Sequence, residues 1–329
     1  MPSLVSVIVP AYNTASRIRY SIESIIAQDY SDIEIIVVDD ASQDNTGDIA
    51  REVLSSSSRP HKLITHPQNM GECASRNTGI ENAEGKYICF IDADDVIHEN
   101  FVKRLYSAIS QGKFDIAFCG FEDKFEDGTR GERYFPRMKS CNDSGENFIL
   151  GNSVPPVWCC MYGHNFLMSF NLRFHEGCIA GGDVEFITKA LCRAEKVISI
   201  NECLYMYVHH EGMGSIRDNN TLGKKIMRYT SNSGAIERTA QYLQEHAHSE
   251  RLIKLSENVL LPQSIIRKFT IFAMTKDIAG YNSLRKDEKA MKILRQALSL
   301  FTLRRKTEVF VKASMILTVP RMYYRMRAK

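Results

Sequence analysis

The chain has 329 residues, 44% hydrophobic and 25% charged, with 19 Gly and 9 Pro, proportions that exclude a disordered, collagen-like or coiled-coil chain. No run reaches the roughly 18 uncharged apolar residues of a membrane span. The net charge of +3 conceals a division: from Thr221 to Lys329, 22 Lys and Arg stand against 8 Asp and Glu, whereas the rest carries 20 against 31.

The first half alternates apolar runs with amphipathic segments, which predicts an α/β fold with a mostly parallel sheet and flanking helices. Val5–Val9 reads as a buried strand stopped by Pro10, and Ala15–Asp29 as a helix with Ile18, Ile22, Ile25 and Ile26 on one face. Ile33–Val38 is a second strand ending in Asp39-Asp40, Asp44–Leu54 a helix, Lys62–Thr65 a third strand and Ser75–Glu84 a helix. A fourth strand, Tyr87–Ile91, runs into Asp92; Asn100–Ser110 is helical, and Asp115–Gly120 is a fifth strand. After Phe121, Asp127-Gly128, Gly131, Gly145 and Pro155-Pro156 predict long loops. From Leu222 onward the pattern is helical, with breaks near Pro262, Gly280 and Pro320. A domain boundary near residue 220 follows, giving a catalytic domain over 1–220 and a basic helical domain over 221–329.

Polar clusters fall at the carboxyl ends of the predicted strands, the edge where open α/β sheets bind ligands. In Pro10-Ala-Tyr-Asn13, Tyr12 offers an aromatic face and Asn13 an amide to a flat heterocycle, although Pro and Asn are common in any βα turn. In Asp39-Asp40-Ala-Ser-Gln-Asp44, one carboxylate could accept a base N–H while Ser42 or Asp44 caps the next helix. Arg76, beside Asn69-Met-Gly71 and Asn77-Thr-Gly79, suits a phosphate oxygen or, equally, a surface salt bridge. Phe90-Ile-Asp92-Ala93-Asp94-Asp95 sets three carboxylates in four residues behind an apolar strand, hard oxygen ligands for Mn²⁺ or Mg²⁺ bridging a diphosphate; a helix-capping role would account for Asp95 alone. Later, Gly181-Gly182-Asp183-Val-Glu185 opens a helix whose dipole favours an anion at Asp183, suiting a general base or a plain helix cap.

Taken together, Val7-Ile-Val-Pro-Ala-Tyr-Asn13, Val37–Thr46, Asn69-x-Gly71 with Arg76-Asn77-x-Gly79, and Phe90–Asp95 resemble the family 2 glycosyltransferases of the GT-A fold, bacterial polysaccharide type. The resemblance covers roughly residues 3–215 and extends to Val157-Trp158, the Asp183 element and Leu204–Tyr207 followed by Ser215. It implies an inverting, metal-dependent transfer from a nucleotide sugar, UDP-linked, to a hydroxyl of a glycan or lipid-linked acceptor. Pro10, Tyr12, Asn13 and Asp40 would then line the donor's base pocket and Arg76 would sit near the diphosphate. Asp92 and Ala93 would face the ribose, Asp94 would bind the cation with Asp95 in support, and Asp183 would be the base across the cleft. One departure matters: Gly182 stands where family members commonly carry Glu, so Glu185 competes for the role of base.

The missing basic n-region before Ser6 predicts a cytoplasmic chain, and nine cysteines without a C-x-x-C predict reduced, buried thiols. In the basic tail, Arg304-Arg-Lys306, Val309–Val319 and Pro320–Lys329 combine basic, aromatic and apolar residues. They read as an interfacial helix on an anionic membrane surface, or as a helix packed on the catalytic domain or on a second subunit of a homo-oligomer. Nucleic acid is not an expected partner. A non-catalytic nucleotide-sugar-binding module is the alternative, and a nucleotidyltransferase the next; no Gly-rich phosphate loop with Lys, and no G-x-G-x-x-G, follows the first strand.

Overall fold

A computed structural model describes residues 3–136, 144–151, 155–210, 221–247, 249–298 and 307–328. The chain divides into two compact units. One comprises residues up to Ser144, Ser153–Gly177 and Ala194–Met213; the other comprises Gly145–Asn152, Cys178–Arg193 and Gly214–Lys329. The second unit therefore takes two segments from the middle of the chain, where the sequence suggests a single cut near residue 220.

The first unit begins with β1 (Val5–Ala11), α1 (Ile18–Ile26), β2 (Ile33–Asp39), α2 (Thr46–Ser55), β3 (His61–Thr65), α3 (Glu72–Asn82), β4 (Tyr87–Phe90), β5 (Val96–Ile97) and α4 (Phe101–Gln111). It continues through β6 (Ile116–Phe125) and β7 (Arg130–Tyr134); α5 (Ser144–Ile149) passes almost entirely to the second unit, and β8 (Cys160–Gly163) and α6 (His164–Ser169) return to the first. Helix α7 (Gly182–Arg193) belongs to the second unit and β9 (Val197–His209) to the first. Among the described residues, nine strands form one sheet in the order β3-β2-β1-β4-β8-β6-β9-β5, with β7 on β6. Strands β1, β2, β3, β4, β6 and β9 run one way and β5, β7 and β8 the other, so the sheet is mixed but mainly parallel. Continuous burial along β1 and β2 explains their unbroken β-branched runs, since helices cover both faces of such strands.

Pro10 does not stop β1, which pairs with β2 through Ala11↔Asp39. Ile8 accepts a bond from Ile91 N–H and Ala11 one from Asp40 N–H, so alternate residues face β4 and β2. Pro10 thus faces the β4 side, beyond the last β1–β4 pair at Ile8↔Phe90, and its missing N–H costs no ladder bond. Helix α3 lies close on β1 because position 79 has no side chain: a Cβ there would stand 2.2 Å from Ile8 Cγ2. The predicted loops after Phe121 are instead a β6–β7 hairpin turning at Asp127-Gly128. Every residue of β7 is exposed, so no apolar alternation marks it.

The second unit adds α8 (Leu222–His246), α9 (Glu250–Leu255), α10 (Leu261–Met274), α11 (Ile278–Lys286), α12 (Glu288–Gln296), α13 (Thr307–Thr318) and α14 (Pro320–Arg327). Thr221, Ser249, Asp277 and Asp287 cap α8, α9, α11 and α12 with side-chain oxygens. Pro262 does not break the chain: a π-helical turn, Ser256–Leu260, leads into it and absorbs the lost i−4 bond. The break assigned to Gly280 falls earlier, at Lys276 with φ 57°, and Gly280 itself donates to the Asp277 cap. Pro320 does open α14. Val309, Ala313, Ile316 and Tyr323 are buried in the core of this unit with Leu243, Val259, Phe269 and Leu294. One face of 309–319 is therefore used in packing, while Val311 and Val319 stay exposed, so the segment is not a membrane-facing stripe along its whole length. Arg304, Arg305 and Lys306, like Ser215, lie outside the described residues. No described helix is long and apolar enough to cross a membrane.

Candidate active site

The carboxyl ends of β1, β2, β4 and β9 meet at one edge of the sheet. There the βα loops are tied to each other before they are available to anything else. Asn13 takes a positive φ of 51°; its N–H donates to Ser42 Oγ (3.0 Å) and its Oδ1 accepts from Gln43 N–H (2.7 Å). Thr14 N–H donates to Thr46 Oγ1 (2.8 Å) and Ala15 N–H to Asp44 Oδ2 (3.1 Å). Asp44 Oδ1 also accepts from Thr46 N–H, while the α2 N-cap, Asn45, makes no side-chain cap bond. Ser42 and Asp44 are thus loop clamps more than helix caps, and the Asn13 amide oxygen is spent locally instead of facing a heterocycle. Tyr12, 45% exposed, remains an open aromatic face.

Asp40 is turned inward. Its Oδ1 accepts from His66 Nδ1 (2.7 Å) and Met70 N–H (2.8 Å), and its Oδ2 from Gly71 N–H (2.8 Å). His66 Nε2 in turn meets Thr78 Oγ1 at 2.9 Å. Asp40 therefore builds the loop ahead of α3, and only Oδ2 keeps an acceptor direction for a base N–H.

Arg76 is fully buried inside α3, not at the helix start or on the surface. It pairs with Asp92 (2.8 Å) and Glu72 (2.6 Å) and lies 5.3 Å over the Phe174 ring. Both sequence readings, phosphate ligand and surface salt bridge, give way to an internal counter-ion that aims Asp92. Asn77 is a clamp as well, exchanging bonds with the Phe174 backbone.

The acidic cluster separates into three roles. Asp92 is held by Arg76, and its carbonyl accepts from Ser21 Oγ. Ala93 is buried in the core, with no polar side-chain group to offer a ribose. Asp95 is buried too: its oxygens accept from Tyr205 hydroxyl (2.7 Å) and Val208 N–H (2.7 Å). Burial and the charges of Asp92 and Asp94 push its carboxyl well above the usual carboxylate range. Asp95 therefore fastens the segment between β4 and β5 to β9, which corrects its assignment to the metal. Asp94, with 32% of its side chain exposed, is the carboxylate left at the surface, and His210 Nε2 stands 2.9 Å from its Oδ2. His210 escapes the sequence reading because it lies 116 residues from Asp94; the adjacent pair His209-His210 at a strand end was the available signal. Its neighbour His209 bonds Asp123 (2.8 Å) and stacks on Phe125. Trp158 stacks on Tyr205 and Tyr207, so the aromatics of that element pack on one another.

Among the described residues no group of three His, Cys, Asp or Glu could hold a metal. A carboxylate and an imidazole, Asp94 and His210, nevertheless fit an Mn²⁺ or Mg²⁺ ion that takes its remaining ligands from a diphosphate and water.

Within the second unit, Asp183 sits in the first turn of α7. Glu185, two residues on, has 2% of its side chain exposed; Arg238 of α8 forks onto it (2.7 Å and 3.0 Å) and Lys189 reaches it at 2.6 Å. A carboxylate so paired is structural, and Glu185 drops out as a competing base. Helix α8 also holds the turn before α7: Ser231 Oγ accepts from Ala180 N–H (3.1 Å) and donates to Ala180 C=O (2.9 Å). Gly181 adopts φ +91° where a Cβ would stand 2.7 Å from Asn232 Oδ1.

Residues 6–173 match the model of glycosyl transferase family 2. EpsJ of Bacillus subtilis, an uncharacterized glycosyltransferase, is 33% identical over 216 residues, 63% of this chain and 61% of EpsJ; the chain thus matches about three fifths of that relative's length. The crystal structure of S. aureus TarS 1-349 with UDP-GlcNAc superposes with a TM-score of 0.68 at 18% identity, covering 95% of this chain and 91% of that one. The mannosyltransferase PcManGT from Pyrobaculum calidifontis, solved with GDP-Man and Mn²⁺, gives 0.57 at 17% identity, covering 100% and 85%. The chain has a mixed sheet with flanking helices like these GT-A enzymes, together with a helical C-terminal region, and by its match over residues 6–173 it belongs to glycosyl transferase family 2.

Proposed function

We propose that the chain is an inverting, divalent-metal-dependent glycosyltransferase. It would move a sugar from a nucleotide sugar, UDP-linked, to a hydroxyl of a glycan or lipid-linked acceptor in cell-surface polysaccharide synthesis, at the cytoplasmic face of a membrane. The observation that carries this reading is the exposed Asp94 carboxylate beside His210, at the strand edge where Tyr12 is also open. The nucleotide sugars bound by TarS and PcManGT, and the Mn²⁺ of the latter, support it by analogy.

Tyr12 stacks on the base, and Asp40 Oδ2 receives a base N–H while its other bonds keep the loop in place. Asp92, fixed by Arg76, faces the ribose. Asp94 and His210 hold the cation, whose chemistry is to neutralise charge on the departing diphosphate. Asp183 takes the proton of the acceptor hydroxyl as its oxygen bonds to the anomeric carbon. Attack from the face opposite the nucleoside diphosphate breaks the sugar–phosphate bond and inverts the configuration.

The test is a screen of nucleotide sugars by thermal shift with Mn²⁺, followed by transfer assays. The wild type should bind one donor and release its nucleotide; Asp94→Asn should lose on the order of 10²–10³ in rate. Asp183→Asn should bind donor normally and fail to transfer. Binding without any nucleotide release would leave a non-catalytic nucleotide-sugar module.

A further inference from the structure

The second unit carries a groove of about 930 Å³ lined by Arg285 at the end of α11, by Thr318, Val319 and Pro320 where α13 turns into α14, and by Arg321, Met322, Arg325 and Met326 of α14. Its walls are fixed to each other. Tyr281 of α11 donates to the Pro320 carbonyl (2.9 Å) and packs edge-on against Tyr324. Tyr323, on the opposite side of α14, is buried and bonds Thr270.

No acidic residue lines the groove, and among the described residues Arg285, Arg321 and Arg325 make no ion pair. Three guanidinium groups without an ion pair around one groove raise the local potential and call for an anion.

The apolar residues decide what kind of anion. Met322, Met326 and Val319 are exposed at 51%, 57% and 42% beside the arginines, on a lip and not in a closed pocket. A site for a soluble phosphate would enclose its donors and would gain nothing from two water-facing thioethers. Guanidinium groups flanked by exposed methionines match a headgroup layer, with phosphate for the arginines and acyl chains for the apolar lip.

We infer that the α11–α14 groove is a docking surface for the phosphate headgroups of an anionic lipid layer. This deepens the membrane part of the function proposed above and moves the contact from the 309–319 stripe to its end, where α13 turns into α14. The active-site assignment is not needed for it.

The full-length chain should sediment with vesicles containing phosphatidylglycerol and stay in solution with pure phosphatidylcholine. The variant Arg285→Gln, Arg321→Gln, Arg325→Gln should partition on the order of 100-fold more weakly, roughly fivefold per arginine. Salt should loosen the wild type and leave the weakened variant almost unaffected. A second variant, Met322→Ser with Met326→Ser, should also bind less, through a part insensitive to salt. All of these side chains are exposed, so melting temperatures and nucleotide-sugar turnover in solution should match the wild type. Equal sedimentation with both vesicle types would overturn the inference, as would an arginine variant that binds as well as the wild type. Release by inorganic phosphate at constant ionic strength would identify a soluble-anion site, and preferential capture of a short RNA a nucleic-acid site; either would refute it. A chain inert toward every nucleotide sugar but still vesicle-bound would sink the transferase reading and leave this one standing.

Discussion

Removing the arginine that α8 extends to α7 tests whether the helical unit takes part in catalysis. In Arg238→Ala, Glu185 loses all three of its bonds from the guanidinium while its carboxylate stays almost fully enclosed. Stripping one partner from a buried ion pair costs about 3–5 kcal/mol when nothing else compensates. Here Lys189 remains 2.6 Å away, and Arg238 is itself about one third exposed, so the loss should be nearer 2 kcal/mol. For a unit of this size that corresponds to a fall in melting temperature of roughly 5–10 °C, read by differential scanning fluorimetry. The kinetic signature should be more selective. If Asp183 is the base proposed above, a shift of α7 by even a fraction of its diameter should lower kcat for transfer about 10–100-fold with the donor KM unchanged. Arg238→Lys, which restores a charge but not the fork, should recover part of both losses. Unchanged melting temperature in Arg238→Ala would show that the fork holds nothing. A lowered melting temperature with unchanged kcat would show that α8 stabilises α7 without placing Asp183.

Two further outcomes follow from burial. Asp95→Ala leaves the Tyr205 hydroxyl and Val208 N–H without their acceptor and should cost about 3 kcal/mol in urea unfolding, whereas Asp95→Asn should fold nearly normally. Because burial and two neighbouring carboxylates raise the Asp95 pKa, the folded wild type holds that proton more tightly than the unfolded chain. Its stability in EDTA should therefore decline as pH rises above the ordinary carboxylate range, and Asp95→Asn should flatten the decline; parallel pH profiles would refute the assignment. Burial likewise pushes up the thiols of Cys89, Cys159, Cys160 and Cys192. Alkylation of the native chain followed by mass spectrometry should mark the partly exposed Cys178 and Cys203 first, the four buried thiols reacting only after denaturation.

What could be read from the sequence was what local pattern determines. The β-branched runs Val5–Val9 and Ile33–Val38 and the isoleucines of α1 needed only their own periodicity, and the acidic triplet after Phe90 needed only its density. What could not be read depends on partners far away. Arg76 looked like a phosphate ligand because charged residues are ordinarily at the surface; Asp92 draws it inside. Asp95 looked like a third ligand until Tyr205, 110 residues later, arrived as its donor. Glu185 looked like a rival base until Arg238 supplied its counter-charge. The β6–β7 hairpin stayed hidden for the opposite reason: β7 pairs with β6 at the rim and every residue of it is exposed, so its side chains carry no record of a core.

The interleaving of the two units bears on how this protein could be taken apart. A gene ending near codon 220 would delete α8 to α14 but retain α5 and α7, leaving Ile149 and Cys192 without Leu243, Leu252 and the other side chains that cover them. Such a fragment would display greasy surface and lose the scaffold of the residue assigned to proton removal, so neither recombination nor the bench could exchange the basic helices as a detachable cassette.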